Sequence, residues 1–150
     1  MITAARKAFN ASFTDEKYAQ FTRACQERFN KQIEFKICET PVFVDKLFAD
    51  QVIAAGEAIL DQLLDADFLQ HTDAAIPDRW RVPGEEGKPV VIALDFGICT
   101  DEQGNRIPQL IEMQGFASLY AWQHALGQNY RTYFDVSSEV SHLFNGLNNE

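Results

Sequence analysis

Apolar residues recur every three or four positions through the first thirty residues, and this spacing predicts helices. A short opening helix is expected around residues 4–9. Thr14 is a suitable N-cap for a second helix over Asp15–Phe29, whose first turn carries acidic residues that favour a helix N-terminus. The apolar stripe of this second helix consists of Tyr18, Phe21, Cys25 and Phe29.

The pattern then changes to strict alternation, and residues 32–38 are predicted to form a half-buried strand that 41–45 extends. Asp45 is placed to cap a long helix that runs to about Leu64. Its apolar face consists of Leu47, Phe48, Val52, Ala55, Ile59 and Leu63. The proline- and glycine-containing segment 65–87 is predicted to be irregular.

The clearest β signal follows in Pro89–Ile98, a nearly continuous apolar run of the kind that is buried on both faces of a sheet. The polar segment Thr100–Arg106 predicts a turn, and Ile107–Gln114 predicts a second strand, so the two strands form a hairpin. A helix is expected over 116–134, with a last turn or two in 136–147.

The predicted fold class is α/β in the α+β sense, with a mixed or antiparallel sheet that contains a hairpin at about 89–114 packed by helices. We expect a single domain over residues 1–150.

The amino-acid composition and net charge indicate which kinds of binding partner the protein favours. Apolar residues make up 46% and charged residues 23%, as in ordinary globular proteins. The formal net charge of -9 disfavours nucleic acid and anionic membranes and suits cations or basic proteins. The three cysteines have no metal-ligand spacing, and free thiols together with the lack of a signal peptide or membrane span predict a cytoplasmic protein.

Each predicted hairpin strand contains a single charged side chain. These are Asp95 and Glu112, and a hairpin centred on the 100–106 turn places them opposite each other on one face, which Gln114 shares. Two carboxylates and an amide oxygen suit Mg²⁺, which takes few carboxylates and fills its other positions with water and phosphate oxygens. A raised carboxylate pKa without metal, or a solvated face, would also account for the two charges.

The segments Ile92–Asp95 and Ile107–Tyr120 resemble the metal-binding hairpin of ATP-grasp ligases, in particular the circularly permuted group that includes glutathionylspermidine synthase-like proteins. That group has an Asp on one strand, a proline-led strand ending Glu-x-Asn and a Ser-Leu-Tyr helix start. Gln114 stands here where the group has Asn.

The resemblance implies ATP-dependent carboxylate–amine ligation, with Mg²⁺ held by Asp95, Glu112 and Gln114 and bridging the phosphates of ATP. It also implies that Ser118 touches substrate or phosphate, although a helix N-cap explains Ser118 equally well. No Gly-rich phosphate loop or lysine-bearing strand follows the hairpin. The resemblance therefore implies the leading segment of a longer ligase or a reduced relative, with no catalytic residue and no turnover in this chain alone.

Other residues give weaker signals. The three histidines are scattered without ligand spacing, and Arg79 and Arg81 are expected to pair with acidic neighbours. The aromatic residues between 116 and 134 are expected to be core and interface. The alternative to a ligase segment is a non-enzymatic acidic domain that binds a basic protein partner or associates with itself.

Overall fold

The structure is a computed structural model that describes residues 2–30, 32–84, 89–116, 119–144 and 147. Within these residues it contains five α-helices, a short 3₁₀ helix and one antiparallel hairpin, so the α+β fold class is confirmed. The elements are α1 Thr3–Ser12, α2 Asp15–Phe29, α3 Lys46–Leu63, α4 Ala66–Asp73, the 3₁₀ helix Asp78–Trp80, β1 Ala93–Thr100, β2 Arg106–Gln114 and α5 Tyr120–Tyr133.

The chain divides into two compact units. The helical unit comprises Met1–Val44 together with Ser118–Glu150, and the hairpin unit comprises Asp45–Ala117. No helix in the described parts of either unit is long and apolar enough to cross a membrane.

The core of the helical unit forms where α2 packs against α5. Thr14 caps α2 as predicted, since its side chain accepts a hydrogen bond from the backbone N–H of Lys17. The predicted stripe of α2 is buried at Phe21 and Cys25, while Phe29 at its end remains 40% exposed. The buried cluster consists of Phe9, Phe21, Cys25, Ile37, Phe43, Tyr130 and Phe134.

The strand predicted over residues 32–38 is wrong, because the described residues 32–44 form an irregular segment with bends and no strand pairing. Two tyrosine hydroxyls donate hydrogen bonds to backbone carbonyls that a neighbouring strand would otherwise engage. Tyr18 donates to the carbonyl of Ile37 at 2.6 Å, and Tyr130 donates to that of Cys38. Burial raises the pKa of both phenols, so they remain protonated donors. The alternating apolar residues therefore pack against helices.

The hairpin unit is built on α3, which packs against β2. Asp45 caps α3 as predicted by accepting from the N–H of Phe48 at 2.9 Å. The same side chain lies 3.5 Å from the guanidinium of Arg106 at the start of β2. A Cβ atom at Gly56 would lie 3.3 Å from Leu94 Cδ1, which shows how closely α3 approaches this face of the hairpin.

The segment predicted to be irregular after residue 64 contains α4, and that prediction is wrong for Ala66–Asp73. Asp65 caps this helix by accepting from the N–H of Phe68, a local signal that the sequence carries. Arg81 pairs with Asp73 at 2.9 Å and with Asp78 at 3.4 Å, as expected of a basic side chain among acidic neighbours.

The predicted final helical turns are also wrong for the described residues 135–144, which follow α5 without helical structure. The helix itself begins at Tyr120, after Leu119 in the left-handed conformation at φ 60°.

Candidate functional site

The turn of the hairpin is organised by Asp101. Its carboxylate accepts hydrogen bonds from the backbone N–H groups of Gln103 and Asn105, at 3.0 and 2.7 Å, and from the side-chain amide of Asn105 at 3.0 Å. The Asn105 side-chain bond is the largest cause that holds the pKa of Asp101 below its usual value. Gly104 adopts φ 81°, a left-handed conformation that favours glycine.

The strand register places Asp95 directly opposite Glu112, and Ala93 opposite Gln114. Paired residues lie on the same face of a ladder, so the two carboxylates and the amide share one face, as the sequence predicts. Between Asp95 and Phe96 the register shifts by one residue, because Phe96 pairs with Leu110. Ile111 is therefore the extra residue of a β-bulge.

The expected burial of β1 on both faces is wrong. Asp95 and Glu112 are exposed, and Gln114 is half-buried. A two-stranded sheet that packs one face on α3 leaves the other face to solvent. The apolar neighbours of Asp95 in sequence thus do not create an apolar surrounding, and no burial cost forces this carboxylate to bind a cation.

No basic side chain in the described part of the chain offsets the two carboxylates of this face. Among the described residues, neither Asp95 nor Glu112 forms an ion pair. The Gln114 amide nitrogen donates to Glu112 Oε1 at 2.5 Å, so the amide is already held beside one carboxylate. No group of three or more His, Cys, Asp and Glu side chains in the described part of the chain is arranged to hold a metal. The face therefore offers two carboxylates and one amide as its hard oxygen donors.

Ser118, which the resemblance assigns to substrate or phosphate, lies outside the described residues.

A concave surface within the helical unit has no counterpart among the predictions from the sequence. It is an apolar pocket of about 280 Å³ whose lining includes Phe29, Phe35 and Trp122. The Trp122 ring lies 5.6 Å from that of Phe29 and 5.7 Å from that of Phe35, measured between centroids. The expected core role holds for Tyr130 and Phe134, which are buried, whereas Trp122 contributes to this pocket wall.

The structure also brings together two histidines whose positions in the sequence predict no contact. His124 on α5 and His142 after it lie with ring nitrogens 3.2 Å apart, although they are 18 residues apart in sequence. Two histidines that act together are usually recognised in a sequence by a short fixed spacing, such as i and i+4 on a helix. His124 and His142 do not have such a spacing.

No protein-family model, no curated protein sequence and no solved structure matches this chain.

Proposed function

We propose that the hairpin unit is an ATP-grasp-like metal-binding segment related to ATP-dependent carboxylate–amine ligases. The observation that carries the proposal is the direct opposition of Asp95 and Glu112 on one exposed face, with Gln114 beside them. Two carboxylates without a described basic partner suit a hard dication, since the cation neutralises their mutual repulsion.

In this proposal Asp95 and Glu112 hold Mg²⁺ through their carboxylate oxygens. When bound, the metal neutralises and aligns the phosphates of ATP. Two carboxylates occupy only part of an octahedral shell, so phosphate oxygens and water supply the remaining ligands. We therefore expect weak metal binding by the protein alone and tighter binding when a nucleotide is present.

Gln114 joins this ligand set only after a small rearrangement. Its amide nitrogen faces Glu112, whereas a metal ligand has to present the carbonyl oxygen. A half-turn about the terminal bond of the side chain exchanges the two atoms. The longer arm of Gln, relative to the Asn of the ligases that the hairpin resembles, gives the oxygen the freedom to reach a metal between the strands.

Metal titration of matched variants tests the proposal. Mn²⁺ serves as a paramagnetic substitute for Mg²⁺, and the free ion is measured by electron paramagnetic resonance with and without a fixed concentration of ATP. The variants are Asp95→Asn and Glu112→Gln. Glu102→Gln is the control, because Glu102 is an exposed carboxylate in the turn of the same hairpin.

We expect both site variants to weaken Mn²⁺ binding at least about tenfold, which corresponds to roughly 1.4 kcal/mol, while Glu102→Gln binds as wild type. Mg²⁺ should displace the bound Mn²⁺. Equal loss in all three variants would show that the ion follows net charge only and would refute a site between the strands. Unchanged binding in Glu112→Gln would refute it as well.

A second candidate function is supported by the exposed apolar residues of the same unit. Val90 is 99% exposed and Ile111 is 72% exposed, and in the described part of the chain neither strand of the hairpin pairs with a third strand. Such edges and apolar residues favour docking of a partner protein or of a second copy, and the net charge of -9 makes a basic partner the favoured kind. Sedimentation equilibrium tests self-association: Ile111→Lys should reduce it, and a wild-type protein that stays monomeric at high concentration contradicts it.

A further inference from the structure

The two histidines of the helical unit form a close pair on a partly exposed surface. His142 Nε2 lies 3.2 Å from His124 Nδ1, and the ring centroids are 5.2 Å apart. Both rings are half-buried, so they are held in place yet open to solvent. The third histidine of the chain, His71, lies on α4 in the hairpin unit.

A glycine creates the space for this pair. A Cβ atom at Gly127 would lie 2.6 Å from His142 Cδ2 and 2.7 Å from its Cγ, closer than side chains approach each other. Gly127 lies inside α5, where glycine costs roughly 1 kcal/mol relative to alanine. The missing side chain leaves room for the His142 ring beside α5, one turn from His124.

The loop beyond α5 also orients His142. The Ser141 hydroxyl donates to the carbonyl of Leu143 at 2.8 Å and accepts from its N–H at 3.0 Å. These two bonds brace the backbone on either side of His142. The ring is thus placed by the loop on one side and by Gly127 on the other.

The distance between the two nitrogens is that of two ligands on one metal ion. Zn–N bonds of about 2.0–2.1 Å at a tetrahedral angle place two nitrogens roughly 3.3 Å apart. We propose that His124 Nδ1 and His142 Nε2 form a two-imidazole site for a divalent transition-metal ion of the zinc class, separate in chemistry from the oxygen donors of the hairpin. Neutral imidazole is a preferred ligand of Zn²⁺, Cu²⁺ and Ni²⁺ and a poor one for Mg²⁺.

The surroundings of His142 disfavour its charged form. Burial, then the neighbouring His124, then the Arg131 guanidinium lower the pKa of His142. A neutral ring keeps a lone pair for the metal. Without a metal, one ring donates its N–H to the other across this contact. For both nitrogens to bind a metal, that proton would have to leave the donor nitrogen, and exchange with solvent would place it on the other nitrogen of the same ring.

No group of three or more His, Cys, Asp and Glu side chains surrounds a metal position in the described residues, so water completes the coordination shell. The positive charge of Arg131 nearby opposes a dication and limits its affinity. Binding is therefore expected to be reversible.

Zinc titration against a chromophoric chelator tests this site in four variants. His124→Gln and His142→Gln each remove one ligand. His71→Gln is the matched control, because it removes a histidine elsewhere. Gly127→Ala keeps both imidazoles and displaces the His142 ring. Far-UV circular dichroism verifies that each variant is folded.

We expect one Zn²⁺ per chain for wild type and His71→Gln, and at least about tenfold weaker binding in the other three variants. Electron paramagnetic resonance of bound Cu²⁺ gives a test that needs no variant, since two imidazoles produce hyperfine splitting from two nitrogens. A Cu²⁺ spectrum with fewer than two nitrogens would overturn the proposal. Equal zinc affinity in wild type and His124→Gln would overturn it too.

Discussion

At the scale of single residues, the three cysteines occupy different environments. Cys25 is fully buried and its thiol accepts a hydrogen bond from the side-chain amide of Asn129 at 3.1 Å, whereas Cys38 is exposed. Burial is the largest cause that raises the pKa of Cys25. Because the thiolate is the reactive form, both access and charge state protect this residue.

We expect a thiol-alkylating reagent at neutral pH to modify Cys38 rapidly and to leave Cys25 unmodified in the folded protein. Peptide mass spectrometry after timed labelling measures the two rates, and labelling in denaturant provides the control in which all thiols react. Labelling of Cys25 at the rate of Cys38 under native conditions would contradict the buried core between α2 and α5.

At the scale of elements, Asp45 connects α3 and the hairpin. It caps the helix through Phe48 N–H at 2.9 Å and lies 3.5 Å from Arg106. The two roles contribute differently to stability, because an N-cap contributes about 1 kcal/mol while a solvent-exposed ion pair contributes less. The cap is therefore expected to dominate the contribution of this side chain.

Two substitutions separate these roles. Asp45→Ala removes both and should lower the free energy of unfolding by about 1 kcal/mol. Asp45→Asn keeps a capping oxygen and removes the charge, so it should cost about half as much or less. Urea unfolding followed by circular dichroism measures both values. An Asn variant as unstable as the Ala variant would show that the charge, and not the cap, stabilises this junction.

At the scale of the whole molecule, the net charge is concentrated in one unit. Residues 45–117 contain fourteen of the 22 acidic and five of the 13 basic residues. The formal charge of this unit is therefore -9, the same as the formal charge of the whole chain. The helical unit is formally neutral. Repulsion between like charges destabilises a compact unit, and dissolved salt screens this repulsion.

Raising the salt concentration should therefore stabilise the hairpin unit selectively. From about 0.01 M to about 0.1 M NaCl the screening length falls from about 30 Å to about 10 Å. Hydrogen–deuterium exchange with peptide resolution should show slower exchange in peptides from 45–117 and little change in peptides from 2–30 and 119–144. Equal slowing in both sets would contradict a charge effect confined to one unit.

The sequence by itself determined the features that depend on near neighbours. Thr14 and Asp45 identify two helix starts because a cap acts over three residues. The pairing of Asp95 with Glu112 follows from two strands around one short turn. The bulge at Ile111 changes the register by one residue for the pairs between Phe96 and the turn, and the sequence does not predict this shift. Helix α4 departs from the prediction of an irregular segment, because Asp65 caps it locally and the prolines and glycines that favour irregular structure all lie beyond its end at Asp73.

Only the tertiary structure decided what depends on distant partners. Tyr18 and Tyr130 hold residues 32–44 as an unpaired segment, where alternation alone predicts a strand. The two-stranded sheet leaves the Asp95 face open, which no run of apolar neighbours reveals. The contact between His124 and His142 depends on the chain turning back over Gly127. Burial and side-chain convergence are properties of packing, and the sequence records them only indirectly.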